Sequence, residues 1–119
     1  MTTFRLHRWD EIAHDKVTEM VSRRVVSGER VMLAQVYLKR GALVPLHAHE
    51  SEQMTWVLEG ALRMMVGGDE VTVRVGEVAH IPSGVKHQAE ALDDTLSLDV
   101  FSPIRREWLA PSAGAESDS

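Results

Sequence analysis

The residues best suited to chemistry in this chain are His47 and His49, in the segment Gly41-Ala-Leu-Val-Pro-Leu-His-Ala-His-Glu-Ser-Glu-Gln53. Side chains alternate between the two faces of a strand, so a His-x-His pair puts both imidazoles on one face. A third histidine, His87, closes the segment Gly76-Glu-Val-Ala-His-Ile-Pro-Ser-Gly-Val-Lys-His87. Two same-face histidines joined by one from a later strand are what a divalent metal ion needs. Imidazole serves zinc, iron, nickel and other first-row ions. The chain has no cysteine, which excludes a thiolate site. His-x-His by itself is a weak signal, because ordinary strand histidines produce it too.

A second chemically suggestive stretch is Leu98-Asp99-Val-Phe101-Ser-Pro-Ile-Arg105-Arg-Glu-Trp108. Read as a strand, Leu96, Leu98 and Val100 share one face, and Ser97, Asp99 and Phe101 share the other. An aspartate set among apolar neighbours is costly unless it has a partner or a water-filled cavity. Two readings follow: Asp99 is solvated or salt-bridged, with Arg105 as a candidate partner, or it faces the interior as a general acid/base. Arg105 carries a permanent charge in a planar fork that suits a substrate carboxylate.

The elements that must position these groups are short strands. Val21 to Ser27 and Arg30 to Lys39 read as strands broken at Gly28-Glu29. In the second, Met32, Ala34, Val36 and Leu38 share one face while Val31, Leu33, Gln35 and Tyr37 share the other. Both faces are largely apolar, which predicts burial on both sides. Pro45 marks its segment as an edge or irregular strand. Gln53 to Leu58 follows as a strand ending at Glu59-Gly60. Ala61 to Val66 and Glu70 to Val75 flank Gly67-Gly68-Asp69, a strong hairpin signal. Val78 to Pro82, His87 to Leu92 and Thr95 to Phe101 complete the set. Met54 and Trp56 alternate with Gln53 and Thr55, which turns them to the outer side. Residues 1–19 are mixed and charged and are expected to form at most a short helical turn. Residues 110–119 are small and polar and are expected to be disordered. Many short strands and no long amphipathic helix indicate an all-β sandwich or barrel.

Composition narrows the partners. At 119 residues the chain is long enough for one domain with its own core. A formal charge of −5 argues against nucleic acid. No apolar run approaches a membrane span, and the first residues lack the apolar core of a signal peptide. The expectation is a cytoplasmic protein without a nucleic-acid or membrane partner.

The motif spacing resembles the two signatures of the cupin superfamily, G-x5-H-x-H-x3,4-E-x6-G and G-x5-P-x-G-x2-H-x3-N. Gly41, His47, His49 and Gly60 fall on the first, and Gly76, Pro82, Gly84 and His87 on the second. Gln53 stands where most cupins carry a glutamate, and Ala91 where they carry the closing asparagine. Glu50 and Glu52 lie nearby, but the register favours Gln53. His7, His14 and His80 match no motif position and are read as non-ligands, with His80 near enough to Pro82 to support the site. The resemblance implies a single-domain jelly-roll barrel over residues 20–109. It also implies one divalent ion (Zn, Ni, Mn, Fe or Co) on His47, His49, Gln53 and His87, and a homodimer. Four neutral ligands leave the ion's full charge uncompensated, unlike the two-histidine, one-carboxylate arrangement of iron oxygenases. That tilts the chemistry from oxygen activation toward proton transfer.

The Asp-Val-Phe-Ser-Pro-x-Arg ending, together with His-x-His-x3-Gln, is similar to the small KdgF-type cupins, which ketonise 4,5-unsaturated uronates from pectin and alginate. The resemblance implies Asp99 as the proton-transfer residue, with Phe101 and Arg105 shaping the pocket for a small carboxylate or sugar substrate. Competing readings are another metal cupin enzyme, such as a hydroxynitrile lyase or a dioxygenase, and a sugar-binding cupin without catalysis.

Overall fold

The computed structural model describes residues 3–110, so the expectation for the tail falls, beyond Ala110, outside the described residues. Ten strands follow one another: β1 (Asp15–Lys16), β2 (Val21–Ser27), β3 (Met32–Leu38), β4 (Leu43–His47) and β5 (Glu52–Glu59), then β6 (Ala61–Val66), β7 (Asp69–Arg74), β8 (Val78–Ile81), β9 (His87–Ala91) and β10 (Thr95–Ser102). Short 3-10 turns at Trp9–Glu11 and Arg106–Leu109 bracket them. All pairings are antiparallel. One sheet runs β1-β2-β3-β10-β5-β8 and the other β4-β9-β6-β7. The two sheets make the all-β jelly roll that the cupin resemblance implies, and they agree with the sandwich or barrel expected from the strand pattern.

Alternation decides which residues meet between the sheets. Met32, Ala34, Val36 and Leu38 from β3 pack with Val57, Leu62, Met64, Val73, Ile81 and Phe101 into one buried cluster. Each large side chain buried this way stabilises the fold by about 1.5–3 kcal/mol. The opposite face of β3 corrects the expectation of burial on both sides: Leu33 and Gln35 are half-buried and Tyr37 is exposed. That face is the outside of the six-stranded sheet, and no helix among the described residues covers it. The N-terminal segment is also richer than expected. Besides its helical turn it carries β1, which extends the sheet through Asp15↔Arg23 and Lys16↔Ser22. Two residues are too few for hydrophobic periodicity to reveal a strand.

Pro45 behaves as its chemistry requires. Strand β4 lies at the edge of the four-stranded sheet, and its register to β9 slips between Val44 and His47. Gly60 turns the chain between β5 and β6 at a φ of +84°. A Cβ there would meet the backbone of Asp94 and come within 2.8 Å of Thr95 Cα, so the turn admits only glycine.

Candidate metal centre and its cavity

The register slip at Pro45 aims the first histidine. His47 pairs directly across from His87 on β9. Their ring centroids lie 4.2 Å apart. His49 sits just beyond the end of β4, where its carbonyl accepts the Gly84 N–H at 2.9 Å. That bond ties the Pro82-Ser-Gly84 turn, and so the start of β9, to the His-x-His segment. The ligand-capable nitrogens of His47, His49 and His87 all lie within 4.8 Å of one another.

The three rings share one tautomer. Nδ1 donates to a backbone carbonyl in each: His47 to Pro45 O at 2.8 Å, His49 to Ser51 O at 2.9 Å and His87 to Val85 O at 2.8 Å. A carbonyl can only accept, so the proton of each neutral ring is on Nδ1 and Nε2 presents a bare lone pair. His87 Nε2 is buried without a hydrogen-bond partner among the described residues.

Gln53 reaches the same point from the other sheet. Its Nε2 donates to Thr55 Oγ1 at 2.8 Å, which turns Oε1 toward His49 Nε2 at 3.0 Å. Two acceptors at that distance repel unless a cation or a proton lies between them. Burial, with the nearby Arg105 charge second, lowers the His49 pKa, and burial does the same at His87. A proton is therefore disfavoured, and converging lone pairs of this kind fit a divalent ion. Glu52 points away and pairs with His80 at 2.5 Å, so neither belongs to the centre. Glu50 is not in the histidine cluster either. His14 packs edge-on against Tyr37, away from the site.

Asp99 connects to the centre through hydrogen bonds. It lies opposite Thr55 on β5, as Phe101 lies opposite Gln53. Thr55 accepts from Gln53 and hydrogen-bonds the Asp99 carboxyl. Asp99 is 8% exposed, and its Oδ1 has no partner among the described residues. Burial pushes its pKa up to about 6, against smaller downward pulls from the Thr55 hydroxyl and the Arg105 charge. No Asp99–Arg105 salt bridge forms. Arg105 instead directs Nε to Glu107 at 3.1 Å.

His47, Gln53, His87, Asp99, Phe101 and Arg105 line one cavity of about 160 Å³ between the sheets. Ser51 Oγ donates to Pro103 O at 2.5 Å, fastening the segment after His49 to the one that leads into Arg105. A larger groove of about 580 Å³ runs past His14, Lys16, Tyr37 and Asp94, is not lined by His47, His49 or His87, and has no converging ligand set among the described residues. Two cavity residues escaped the sequence reading: Arg23 and, with any assigned role, Trp108. The signal for Arg23 is present in the sequence, since it shares the inner face of β2 with Val21 and Val25 as Asp99 shares that of β10 with Ser97 and Phe101.

An antiparallel two-sheet jelly roll with three converging imidazoles at one end defines a class of small-molecule and metal-binding barrels. A family model described as Cupin domain matches residues 34–102, and the chain belongs to the cupin family. No curated protein matches it by sequence. Among solved structures it is similar to KdgF from Halomonas sp., with 28% identity, a TM-score of 0.84, and coverage of 89% of this chain and 99% of that one. An RmlC-like cupin from Shewanella frigidimarina superposes equally well at 21% identity, covering 89% and 96%. A predicted oxalate decarboxylase from Thermotoga maritima follows at 22% identity and TM-score 0.74, covering 84% and 100%. The last two establish the fold alone. Among the described residues, no helix is long and apolar enough to cross a membrane.

Proposed function

We propose that this cupin is a metal-dependent enzyme that ketonises a 4,5-unsaturated uronate by moving a proton. The observation that carries the reading is the joining of two kinds of group in one cavity. Lone pairs from His47, His49, Gln53 and His87 converge, and a buried carboxyl, Asp99, is linked to them through Thr55. The likeness to KdgF from Halomonas sp. supports the choice of substrate class.

His47, His49, Gln53 and His87 would hold the ion, drawn from Zn, Ni, Mn, Fe or Co. A divalent ion in this neutral shell supplies Lewis acidity toward a substrate oxygen that gains negative charge. Arg105 anchors the substrate carboxylate. Its Nε is taken by Glu107, which leaves the two terminal nitrogens as an end-on fork. Phe101 lies beside that guanidinium, its ring centroid 5.3 Å from Cζ, and walls the pocket on the His49 side. Asp99 takes the proton from the C1 hydroxyl; C1 becomes an aldehyde as its bond to the ring oxygen breaks, and that oxygen keeps the electron pair as an enolate on C5. Asp99 returns the proton to C4, so the C4–C5 double bond becomes a C5 ketone with no net gain or loss of atoms. The elevated pKa of Asp99 suits a group that must first accept and then release a proton near neutrality.

The proposal includes a second copy of the chain. On the outer face of the six-stranded sheet, Met54 and Trp56 are 45% and 46% exposed, and Val78 stands beside Trp56. Leu98 and Val100 continue the stripe on β10. Arg24 Nε and Gln35 Oε1, paired across β2 and β3 on the same face, are buried without partners among the described residues. A two-fold axis lets such a stripe meet itself and brings polar groups of the second copy to those atoms.

The test is an assay of 4,5-unsaturated galacturonate, followed by the absorbance of its conjugated double bond. It compares metal-stripped protein, protein reloaded with each of the five ions, and His49→Ala. Loss of absorbance only in reloaded parent protein, with a linear keto-uronate as product, supports the reading. A parent protein that binds the sugar but converts none with any ion supports a sugar-binding cupin instead.

A further inference from the structure

The turn that follows Arg105 cannot hold itself. It is a single 3-10 turn, Arg106–Leu109, without a side-chain cap and without a fully buried residue. Yet it carries Trp108, whose ring meets Phe101 edge-on at 5.0 Å and receives the Arg105 guanidinium with Cζ 4.3 Å from its centroid. A second guanidinium lies against the same ring: Arg23 Cζ is 3.8 Å from the centroid. Arg23 comes from the middle of a regular strand, is 8% exposed, and is held 3.4 Å from Asp15 on the neighbouring β1. Without the indole, nothing would offset the repulsion between the buried guanidinium of Arg23 and the half-buried one of Arg105 at this point. With it, each finds the negative face of an aromatic ring.

We infer that Arg23 is a positioning residue, which fixes the Trp108 ring from the sheet and through that ring sets the guanidinium of Arg105. Strand β1, Arg23, Trp108 and Arg105 then form one continuous stack from the N-terminal segment to the cavity. The part played by Arg105 toward a carboxylate rests on the function proposed above. The hold of Arg23 on the indole does not.

The experiment uses the metal-loaded full chain with Trp9→Phe and Trp56→Phe, which leaves Trp108 as the sole indole. Arg23→Met and Arg23→Lys are compared with that parent by iodide quenching of Trp108 fluorescence and by the dissociation constant for D-galacturonate, a saturated uronate that cannot react. Arg23→Met is expected to raise the quenching constant several-fold and to weaken uronate binding about tenfold. Arg23→Lys, which keeps the charge but loses the planar stack, is expected to fall between, and it carries the test if Arg23→Met does not fold. Quenching equal to the parent in the folded variants overturns the inference. Unchanged quenching with weakened uronate binding also overturns it, because Arg23 would then touch the ligand itself. If the parent binds no uronate, the proposed function fails, while the quenching comparison still decides whether Arg23 holds the ring.

Discussion

At the scale of single residues, the tautomers of the histidines matter most. Three backbone carbonyls, from Pro45, Ser51 and Val85, fix the Nδ1 protons and leave three Nε2 lone pairs facing one point. The same local logic gives Asp99 its raised pKa, since burial outweighs the Thr55 hydroxyl and the Arg105 charge. If Asp99 begins the reaction as a base, it must be ionised in the free enzyme. The value of kcat/KM should therefore rise with pH through a limb at about 6 and level off above it. A bound divalent ion favours the carboxylate and moves the limb lower. A pH–rate profile on metal-loaded protein checks this, and a rate that falls across that range would assign Asp99 the opposite starting state. Much of this centre is legible in the amino-acid sequence. A two-residue period puts His47 and His49 on one face, and the resemblance to the two glycine-framed cupin motifs adds Gln53 and His87. The Nδ1 partners are not legible there. They are backbone carbonyls, which every residue has, and only the fold decides which one a ring meets.

At the scale of elements, the sheets bring together what the chain separates. His47 and His87 come from paired strands of one sheet, and Gln53 and Asp99 from paired strands of the other, so the site depends on how the sheets face each other. Strand β10 read correctly because Ser97, Asp99 and Phe101 alternate with leucines and a valine. The outer face of β3 did not, because apolar residues on a surface look the same in sequence as apolar residues in a core. Gly60 is the element-level device most open to test, since it joins β5 to β6 at a backbone angle and a close approach that exclude a side chain. Gly60→Ala should destabilise the protein by about 1–3 kcal/mol and lower the thermal midpoint by several degrees. Thermal unfolding followed by circular dichroism reads it, and a midpoint equal to the parent would mean the turn can rearrange.

At the scale of the whole molecule, the two sheets enclose the histidine-lined cavity, and among the described residues nothing covers the apolar outer face of the six-stranded sheet. With Met54, Trp56 and Val78 exposed side by side on that face, a lone protomer leaves this apolar stripe in water. The proposed dimer predicts twice the protomer mass by light scattering. It also predicts that Trp56→Glu yields a folded monomer, because one buried unpaired charge per copy opposes association. A parent protein that runs as a monomer at all concentrations would remove the dimer and leave the metal centre untouched. The central claim, that a buried carboxyl moves a proton beside a metal on an unsaturated uronate, is tested most directly by Asp99→Asn. The variant keeps the side-chain size and loses the exchangeable proton. Turnover of 4,5-unsaturated galacturonate is to be measured in the metal-loaded variant and parent, with metal content and D-galacturonate binding determined alongside. Turnover is expected to fall about 10²–10⁴-fold while metal and sugar binding persist. A folded, metal-loaded Asp99→Asn protein that turns over at the parent rate would contradict the account.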